Sequence, residues 1–76
     1  MKLIFPIHCQ PRIYERNINI DHIKKAIKDP DSKVDAFEGR IKVQKKIDSK
    51  VIKVVYSKDR FRDKKEEYLI ITAYYL

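Results

Sequence analysis

One stretch of the chain carries hydrophobic residues with the period of an amphipathic helix. Its apolar stripe is formed by Ile20, Ile23, Ala26 and Ile27. These positions recur on one face of a helix with about 3.6 residues per turn, so they predict a buried face. Asn19, just ahead of the stripe, is well suited to cap the helix, and Pro30 ends it because the residue before a proline is disfavoured in a helix. The pattern therefore predicts a helix between Asn19 and Pro30.

A shorter helix is predicted ahead of this one, from His8 to Arg16. Pro11 is compatible with a helix only in the first turn, where no hydrogen bond from its nitrogen is needed. That condition places the start of the helix near His8 or Cys9. Before the helix, Met1–Phe5 is an apolar stretch ended by a proline, and we expect an edge strand or an extended lead-in there.

Beyond Ser32 the hydrophobic period changes to two, which is typical of β-strands. Four strands are predicted, at Val34–Phe37, Arg40–Ile47, Val51–Tyr56 and Tyr68–Tyr75. Gly39 and the pair Asp48 and Ser49 mark reversals of the chain, and the charged stretch Ser57–Glu67 is expected to be a long exposed connection. This order predicts an α+β fold in a single domain, residues 1–76. Two N-terminal helices would pack on a four-stranded antiparallel sheet, with an extra short N-terminal strand left open.

Composition and charge narrow the function classes. Seventy-six residues make one small domain and exclude a multidomain enzyme. The 18 Lys and Arg residues outnumber 11 Asp and Glu residues, which gives a net charge of +7 and favours a polyanionic partner. The single cysteine, Cys9, excludes a disulfide framework and a multi-cysteine zinc site.

The sequence also lacks the patterns of several other classes. No apolar run approaches the roughly 20 residues that span a bilayer, so we expect a cytoplasmic protein that contacts no membrane. There is no glycine-rich phosphate loop and no histidine at a recognised ligand spacing. We therefore expect neither a metal ion nor another cofactor.

The first predicted helix carries the residues with the most chemistry. At about 100° per residue, one sector of its surface contains His8, Arg12, Glu15 and Arg16. An imidazole and a carboxylate can exchange protons, and two guanidiniums can clamp a phosphodiester, so this face is a candidate catalytic site. The alternative is an ordinary solvated face, in which Glu15 pairs with an arginine and His8 caps the helix.

The middle strands carry a second candidate surface. Arg40, Lys42 and Lys46 point to one face of the predicted sheet, where they would meet the phosphates of a nucleic acid. Tyr56 and Tyr74 would add rings on which unpaired bases stack. The alternative is that these tyrosines are half-buried packing residues with hydroxyls in contact with water.

A family pattern is spread over positions along most of the chain. Its first part runs from His8 to Ile18 and reads His, then Arg four residues on, then Glu-Arg-x-Ile. The remaining parts are Asp29-Pro30, Gly39-Arg40, Val54-Val55 and the closing stretch Ile71 to Tyr74. In these features the chain resembles a widespread family of short, uncharacterised prokaryotic proteins. That family in turn resembles the RelE/BrnT-type toxins of toxin–antitoxin pairs.

The resemblance implies a function as well as a RelE-like fold. It implies a metal-independent endoribonuclease of the mRNA interferase type, which cuts RNA by attack of a ribose 2′-hydroxyl on the adjacent phosphate. RNA, including ribosome-bound mRNA, would be the substrate, and a cognate antitoxin protein would be the partner. The positions that match are His8, Arg12, Arg16, Arg40, Thr72 and Tyr74.

Each residue of the candidate catalytic site has a role in this hypothesis. His8 would act as general base or acid, while Arg12 and Arg16 would stabilise the charge that develops on the phosphate. Glu15 would orient His8 or Arg12. Two other hypotheses stay open: a module that binds RNA or DNA through the basic sheet face without catalysis, and an interaction domain that binds an acidic protein. The sequence also leaves self-association open.

Overall fold

Two helices lie on one face of a five-stranded mixed sheet in the computed structural model, which describes residues 2–58 and 67–76. The fold is therefore α+β, which confirms the predicted class. The strands are β1 (Lys2–Ile4), β2 (Ser32–Asp35), β3 (Arg40–Ile47), β4 (Lys50–Lys58) and β5 (Glu67–Tyr75). The helices are α1 (Gln10–Glu15) and α2 (Ile20–Lys28), and Phe37–Gly39 forms a short 3₁₀ turn.

The sheet differs from the predicted four-stranded antiparallel sheet by one strand. Its strand order is β1-β5-β4-β3-β2, and the four strands from β2 to β5 are antiparallel neighbours. The N-terminal strand β1 runs parallel to β5 and pairs Leu3 with Tyr68. β1 and β2 lie at opposite edges of the sheet, so the two helices carry the chain across one face from one edge to the other.

Helix α2 agrees with the prediction at both ends. The Asn19 side chain caps it by accepting a hydrogen bond from the backbone N–H of Asp21 at 2.9 Å. The helix ends at Lys28, two residues before Pro30, as expected from the conformational preference of the residue that precedes a proline. The predicted apolar stripe faces the sheet, and its last three members, Ile23, Ala26 and Ile27, are buried.

Helix α1 begins at Gln10, one or two residues after the predicted start near His8 or Cys9. The chain first makes a turn in which the Pro6 carbonyl accepts a hydrogen bond from the backbone N–H of Cys9 at 2.9 Å. His8 lies in this turn, two residues before the first residue of the helix. Pro11 occupies the first helical turn, as predicted.

Strand β2 lies two residues earlier than the predicted Val34–Phe37. The backbone N–H of Ala36 donates to the Arg40 carbonyl at 2.8 Å and closes the hairpin between β2 and β3. In the connecting loop, Glu38 and Gly39 have φ of 62° and 72°, in the left-handed region that a strand does not adopt. The strand therefore ends at Asp35 and the chain reverses at the glycine.

Strand β4 is longer than predicted and extends through residues 57 and 58. The predicted connection Ser57–Glu67 is shortened accordingly at both ends, because Glu67 is the first residue of β5. The rest of that connection, residues 59–66, lies outside the described residues.

The hydrophobic core lies between the helices and one face of the sheet. Cross-strand pairing puts Val43, Val54 and Ala73 in one row on this face, and all three are fully buried. Ile23 and Ala26 of α2 are also 0% exposed and pack in the same cluster. Full burial of an aliphatic side chain of this size contributes about 2 kcal/mol, so this layer fixes α2 on the sheet. Residues of the opposite parity on these strands, such as Lys42, point to the other face of the sheet.

Candidate nucleic-acid interface

The face of the sheet opposite the helices is called the open face here. Among the described residues, no helix lies on it. It is formed by alternate residues of the three central strands: Arg40, Lys42, Gln44, Lys46, Val51, Lys53, Val55, Ser57, Leu69, Thr72 and Tyr74. One row across the strands joins Lys42, Val55 and Thr72, and the next joins Gln44, Lys53 and Tyr74. Cationic and apolar side chains therefore share one continuous surface.

Three of the predicted nucleic-acid contacts are displayed along β3. Arg40, Lys42 and Lys46 are exposed and have the parity of the open face. Arg40 and Lys42 are about 7 Å apart along the strand and Lys42 and Lys46 about 14 Å, so the three form a cationic row that Gln44 interrupts. In the described part of the chain, Arg40 has an ion pair with Glu38 at 3.8 Å, whereas neither lysine has one. Both lysine side chains are exposed and can contact a polyanion.

A buried valine lies at the centre of the open face. Val55 is only 9% exposed although it points away from the core that lies under the helices. Across the strands it pairs with Lys42 and Thr72, and the half-buried Leu69 pairs with Ser57, the next open-face residue of β4. Because Val55 is buried, the surface that the open face offers to a polynucleotide is formed mainly by the polar and cationic side chains around it, which are partners for phosphates.

Tyr74 lies on the open face beside an arginine from α1. The Arg16 guanidinium is 5.8 Å from the centre of the Tyr74 ring. Its Nη1 donates a hydrogen bond to the Ala73 carbonyl at 3.1 Å and lies 3.5 Å from Thr72 Oγ1. Along this edge, β1 pairs only with residues 67–69 of β5, so Arg16 reaches a carbonyl that has no strand partner there. Arg16 therefore links the candidate catalytic site to the open face of the sheet.

The structure does not bring the other three residues of the candidate catalytic site together. His8, Arg12 and Glu15 are all exposed. Among the described residues, no side-chain hydrogen bond or ion pair connects any two of them, and Arg16 is directed at β5 instead. The alternative interpretation is not matched either, because the N-cap of α1 is Cys9 and makes no side-chain cap.

Tyr56 is not part of the open face, which corrects its predicted role as a stacking residue. It pairs with Ile41 on the helix side of the sheet and is 3% exposed. Its ring packs edge-to-face on Tyr68, with the two ring centres 5.4 Å apart. Burial raises the pKa of the Tyr56 hydroxyl, with smaller contributions from Tyr68 and Asp35. A base therefore has no access to this ring.

A polar cluster that the sequence did not indicate connects α2 to the end of β5. His22 Nδ1 lies 2.9 Å from the Tyr75 hydroxyl, which also accepts a hydrogen bond from the backbone N–H of Asn19 at 3.2 Å. Because the hydroxyl oxygen accepts from Asn19, its own hydrogen is free to donate to a neutral imidazole. The Lys50 ammonium lies 5.1 Å from the centre of the Tyr75 ring. No local pattern reveals this contact, since 53 residues separate His22 from Tyr75.

The thiol of Cys9 is only 2% exposed and belongs to the core. Burial raises the pKa of this thiol, and the nearby Arg12 and Arg16 oppose that shift only in part. The neutral thiol therefore predominates at neutral pH, and Cys9 is a packing residue rather than a nucleophile.

No group of three or more His, Cys, Asp and Glu side chains that could hold a metal ion occurs in the part of the chain that the structure describes. None of the helices in that part is long and apolar enough to cross a membrane. Compared with protein-family models, curated proteins and solved structures, the chain matches none of them.

Proposed function

We propose that the chain binds RNA on its open face and cleaves it without a metal ion, as a toxin-like endoribonuclease of a toxin–antitoxin pair. The observation that carries the binding part is the exposed cationic row along β3. The cleavage part draws on the resemblance to RelE/BrnT-type toxins and on the residue types of the candidate catalytic site. Its place of action would be the cytoplasm, where mRNA is translated.

RNA would be held by a division of roles on the open face. Lys42 and Lys46, about 14 Å apart along β3, would contact two phosphates of the same RNA strand, since phosphate contacts need cations rather than any particular order of them. Tyr74 would receive an unpaired base, and Arg16 at its ring would add a cation close to the same nucleotide. The 2′-hydroxyl of that nucleotide distinguishes RNA from DNA.

Cleavage would follow the route of intramolecular attack. The 2′-oxygen forms a bond to the adjacent phosphorus and the bond to the 5′-oxygen breaks, which leaves a 2′,3′-cyclic phosphate and a free 5′-hydroxyl. His8 would remove the proton from the 2′-hydroxyl or deliver one to the departing 5′-oxygen, and water would take the other role. Arg12 and Arg16 would stabilise the charge on the phosphate, and Glu15 would orient the imidazole or Arg12.

The test of cleavage uses the purified chain with labelled RNA in the presence of a chelator, both free and on translating ribosomes. We expect product with a 2′,3′-cyclic phosphate end, and loss of product in His8→Ala and in Arg12→Ala. Lys28→Ala, which removes an exposed cation of α2, is the matched control and should cleave like the wild type. Absence of product from the wild type in both settings overturns the cleavage proposal.

A second candidate function is RNA or DNA binding without catalysis. It is favoured by the position of His8 in a turn before α1, with no described side-chain contact to Arg12 or Glu15. This candidate predicts tight, salt-dependent binding, no product and no effect of His8→Ala. Induced expression of the wild type beside His8→Ala, scored for growth arrest, separates the two candidates in cells.

An acidic protein, such as an antitoxin, is the third candidate partner. An apolar groove of about 630 Å³ lies beside α1 and is lined in part by Phe5, Ile13 and Tyr14. Tyr14 is 88% exposed, and the exposed Arg12 belongs to the same helix. Tyr14→Ala should then weaken capture of a small acidic chain while leaving RNA binding unchanged, and an equal loss of both would argue against a separate protein site.

A further inference from the structure

Strand β2 forms an outer edge of the sheet that no described residue covers. All four of its residues, Ser32–Asp35, are exposed, and the hydrophobic side chain of Val34 is 57% exposed. An edge strand with unpaired backbone groups and an exposed aliphatic side chain is a template for pairing with another strand. The hydrogen-bonding direction and the charges of this edge indicate which strand can pair with it.

The hydrogen-bonding direction follows from the pairing of β2 with β3. Ala36 is hydrogen-bonded to Arg40, and Val34 pairs with Lys42 two residues further along. Because hydrogen-bonded pairs alternate in an antiparallel ladder, Val34 directs its backbone groups toward β3. Lys33 and Asp35 therefore direct their N–H and C=O groups outward, at the free edge.

We propose that two copies of this chain pair antiparallel through β2, about a two-fold axis that passes beside Val34. In this register Lys33 of one copy lies opposite Asp35 of the other, so the outward backbone groups of each such pair form two hydrogen bonds. The two Val34 side chains meet on the open face in the closely spaced, non-hydrogen-bonded pair. The register makes an isologous interface, in which opposite charges meet twice and the exposed aliphatic side chain is covered.

Neither of the other edge segments offers the same fit. Beyond β1, the free edge of β5 is occupied by Arg16, which donates to the Ala73 carbonyl. The outer edge of β1 has the residues Lys2, Leu3 and Ile4, and self-pairing about Leu3 would put a lysine opposite an isoleucine. In the described part of the chain, charge complementarity with a second copy is thus found at β2.

Pairing at β2 would join the two sheets into one of ten strands with both open faces on the same side. Lys42 lies in the same cross-strand row as Val34, so the two copies of Lys42 would be about three strand spacings, roughly 14 Å, apart. An interface of four residues per chain is small, which makes a weak, concentration-dependent dimer the expected result. The inference stands on the edge itself and does not depend on the proposed RNA function.

Sedimentation equilibrium of the full chain over a range from low micromolar to millimolar tests this proposal. We expect the average mass of the wild type to rise from 9.2 kDa toward twice that value. Asp35→Lys puts lysines opposite each other at both symmetry-related positions and should raise the dissociation constant roughly tenfold or more. The double variant with Lys33→Asp and Asp35→Lys restores opposite charges across the axis and should restore dimerisation.

The controls make each outcome decisive. Lys28→Asp changes the charge of an exposed lysine of α2 by the same amount and should dimerise like the wild type. Circular dichroism of each variant verifies that it is folded. A wild type that stays monomeric at millimolar concentration, an Asp35→Lys variant that dimerises like the wild type, or a folded double variant that stays monomeric would each overturn the proposal.

Discussion

Arg16 Nη1 donates a hydrogen bond to the carbonyl oxygen of Ala73 at 3.1 Å, across 57 positions of sequence. This contact fastens the C-terminal end of α1 to the free edge of β5. It also places a guanidinium 5.8 Å from the centre of the Tyr74 ring. The same arginine therefore has a structural role at the sheet edge and a proposed role toward RNA, and the two can be separated by experiment.

The structural role of Arg16 predicts a loss of stability on truncation. Arg16→Ala removes a partly buried hydrogen bond to Ala73, so we expect the free energy of unfolding to fall by about 1 kcal/mol. Arg12→Ala is the matched control, because Arg12 is exposed and has no described side-chain hydrogen bond or ion pair; it should change stability by less than about 0.5 kcal/mol. Urea denaturation measures both. Equal stability losses in the two variants would contradict the role of the contact.

The hydroxyl of Tyr75 is predicted to stabilise the contact between α2 and β5. Tyr75→Phe keeps the ring but removes the oxygen that accepts from Asn19 and contacts His22, which should cost about 1 kcal/mol of unfolding free energy. Tyr14→Phe removes a hydroxyl from a ring that is 88% exposed and should leave stability unchanged. The thermal unfolding midpoints of the two variants give the comparison. A midpoint for Tyr75→Phe equal to that of the wild type would show that the hydroxyl contributes nothing.

The stability of the hairpin between β2 and β3 is predicted to fall in acid through Asp31. The backbone N–H of Lys46 donates to this carboxylate at 2.8 Å and, with the nearby Lys45, lowers the pKa of Asp31 in the folded chain. A lowered folded-state pKa means that the stabilisation is present above the ordinary pKa of an aspartate and is lost as pH falls through the folded value. Asp31→Asn should therefore flatten the fall of the urea midpoint toward acid pH.

The control for that titration is Asp48→Asn, which removes the same charge in the turn between β3 and β4. The wild type, Asp31→Asn and Asp48→Asn are compared in urea from neutral pH down to pH values below the ordinary aspartate range. An acid dependence of Asp31→Asn as steep as that of the wild type would exclude the Lys46 hydrogen bond as its source.

Tyr56 and Tyr74, both predicted from the sequence to stack on bases, are expected to contribute differently to RNA affinity. Tyr74→Leu removes a ring from the open face and should weaken binding of single-stranded RNA by roughly 5- to 150-fold, because a stacked base contributes about 1–3 kcal/mol. Tyr56→Phe keeps the buried ring and should bind RNA like the wild type. Fluorescence anisotropy with a labelled oligonucleotide compares them. Unchanged affinity in Tyr74→Leu would exclude stacking on this ring.

Local patterns in the sequence predicted the elements whose determinants are local. The apolar stripe between Asn19 and Pro30 predicted α2, and the alternation of Arg40–Ile47 predicted β3 with its cationic face. Both rest on periodicity and on residues with strong conformational preferences, which act within a few positions. The same locality explains why the class of fold was predictable.

Other features depend on contacts between distant residues and left no local signal. The parallel pairing of Leu3 with Tyr68 joins the two ends of the chain, so β1 was predicted only as a strand or a lead-in. The start of α1, predicted near His8 or Cys9, lies at Gln10 because the Pro6 carbonyl stabilises a turn ahead of the helix. Tyr56 has the same strand parity as Ile52 and Val54, which are buried in the core. Val51 and Val55, of the opposite parity, are also apolar, so the pattern did not show which face of β4 is buried.

The salt dependence of RNA binding tests the central claim, that the open face binds RNA, most directly. The logarithm of affinity is plotted against the logarithm of salt concentration for the wild type, for the double variant with Lys42→Glu and Lys46→Glu, and for a control with Lys25→Glu and Lys28→Glu on α2. Each phosphate contact to a single strand contributes about 0.7 to the slope. We predict a slope about 1.4 smaller in magnitude for the open-face variant and the wild-type slope for the control. Equal slopes in both double variants would contradict the account.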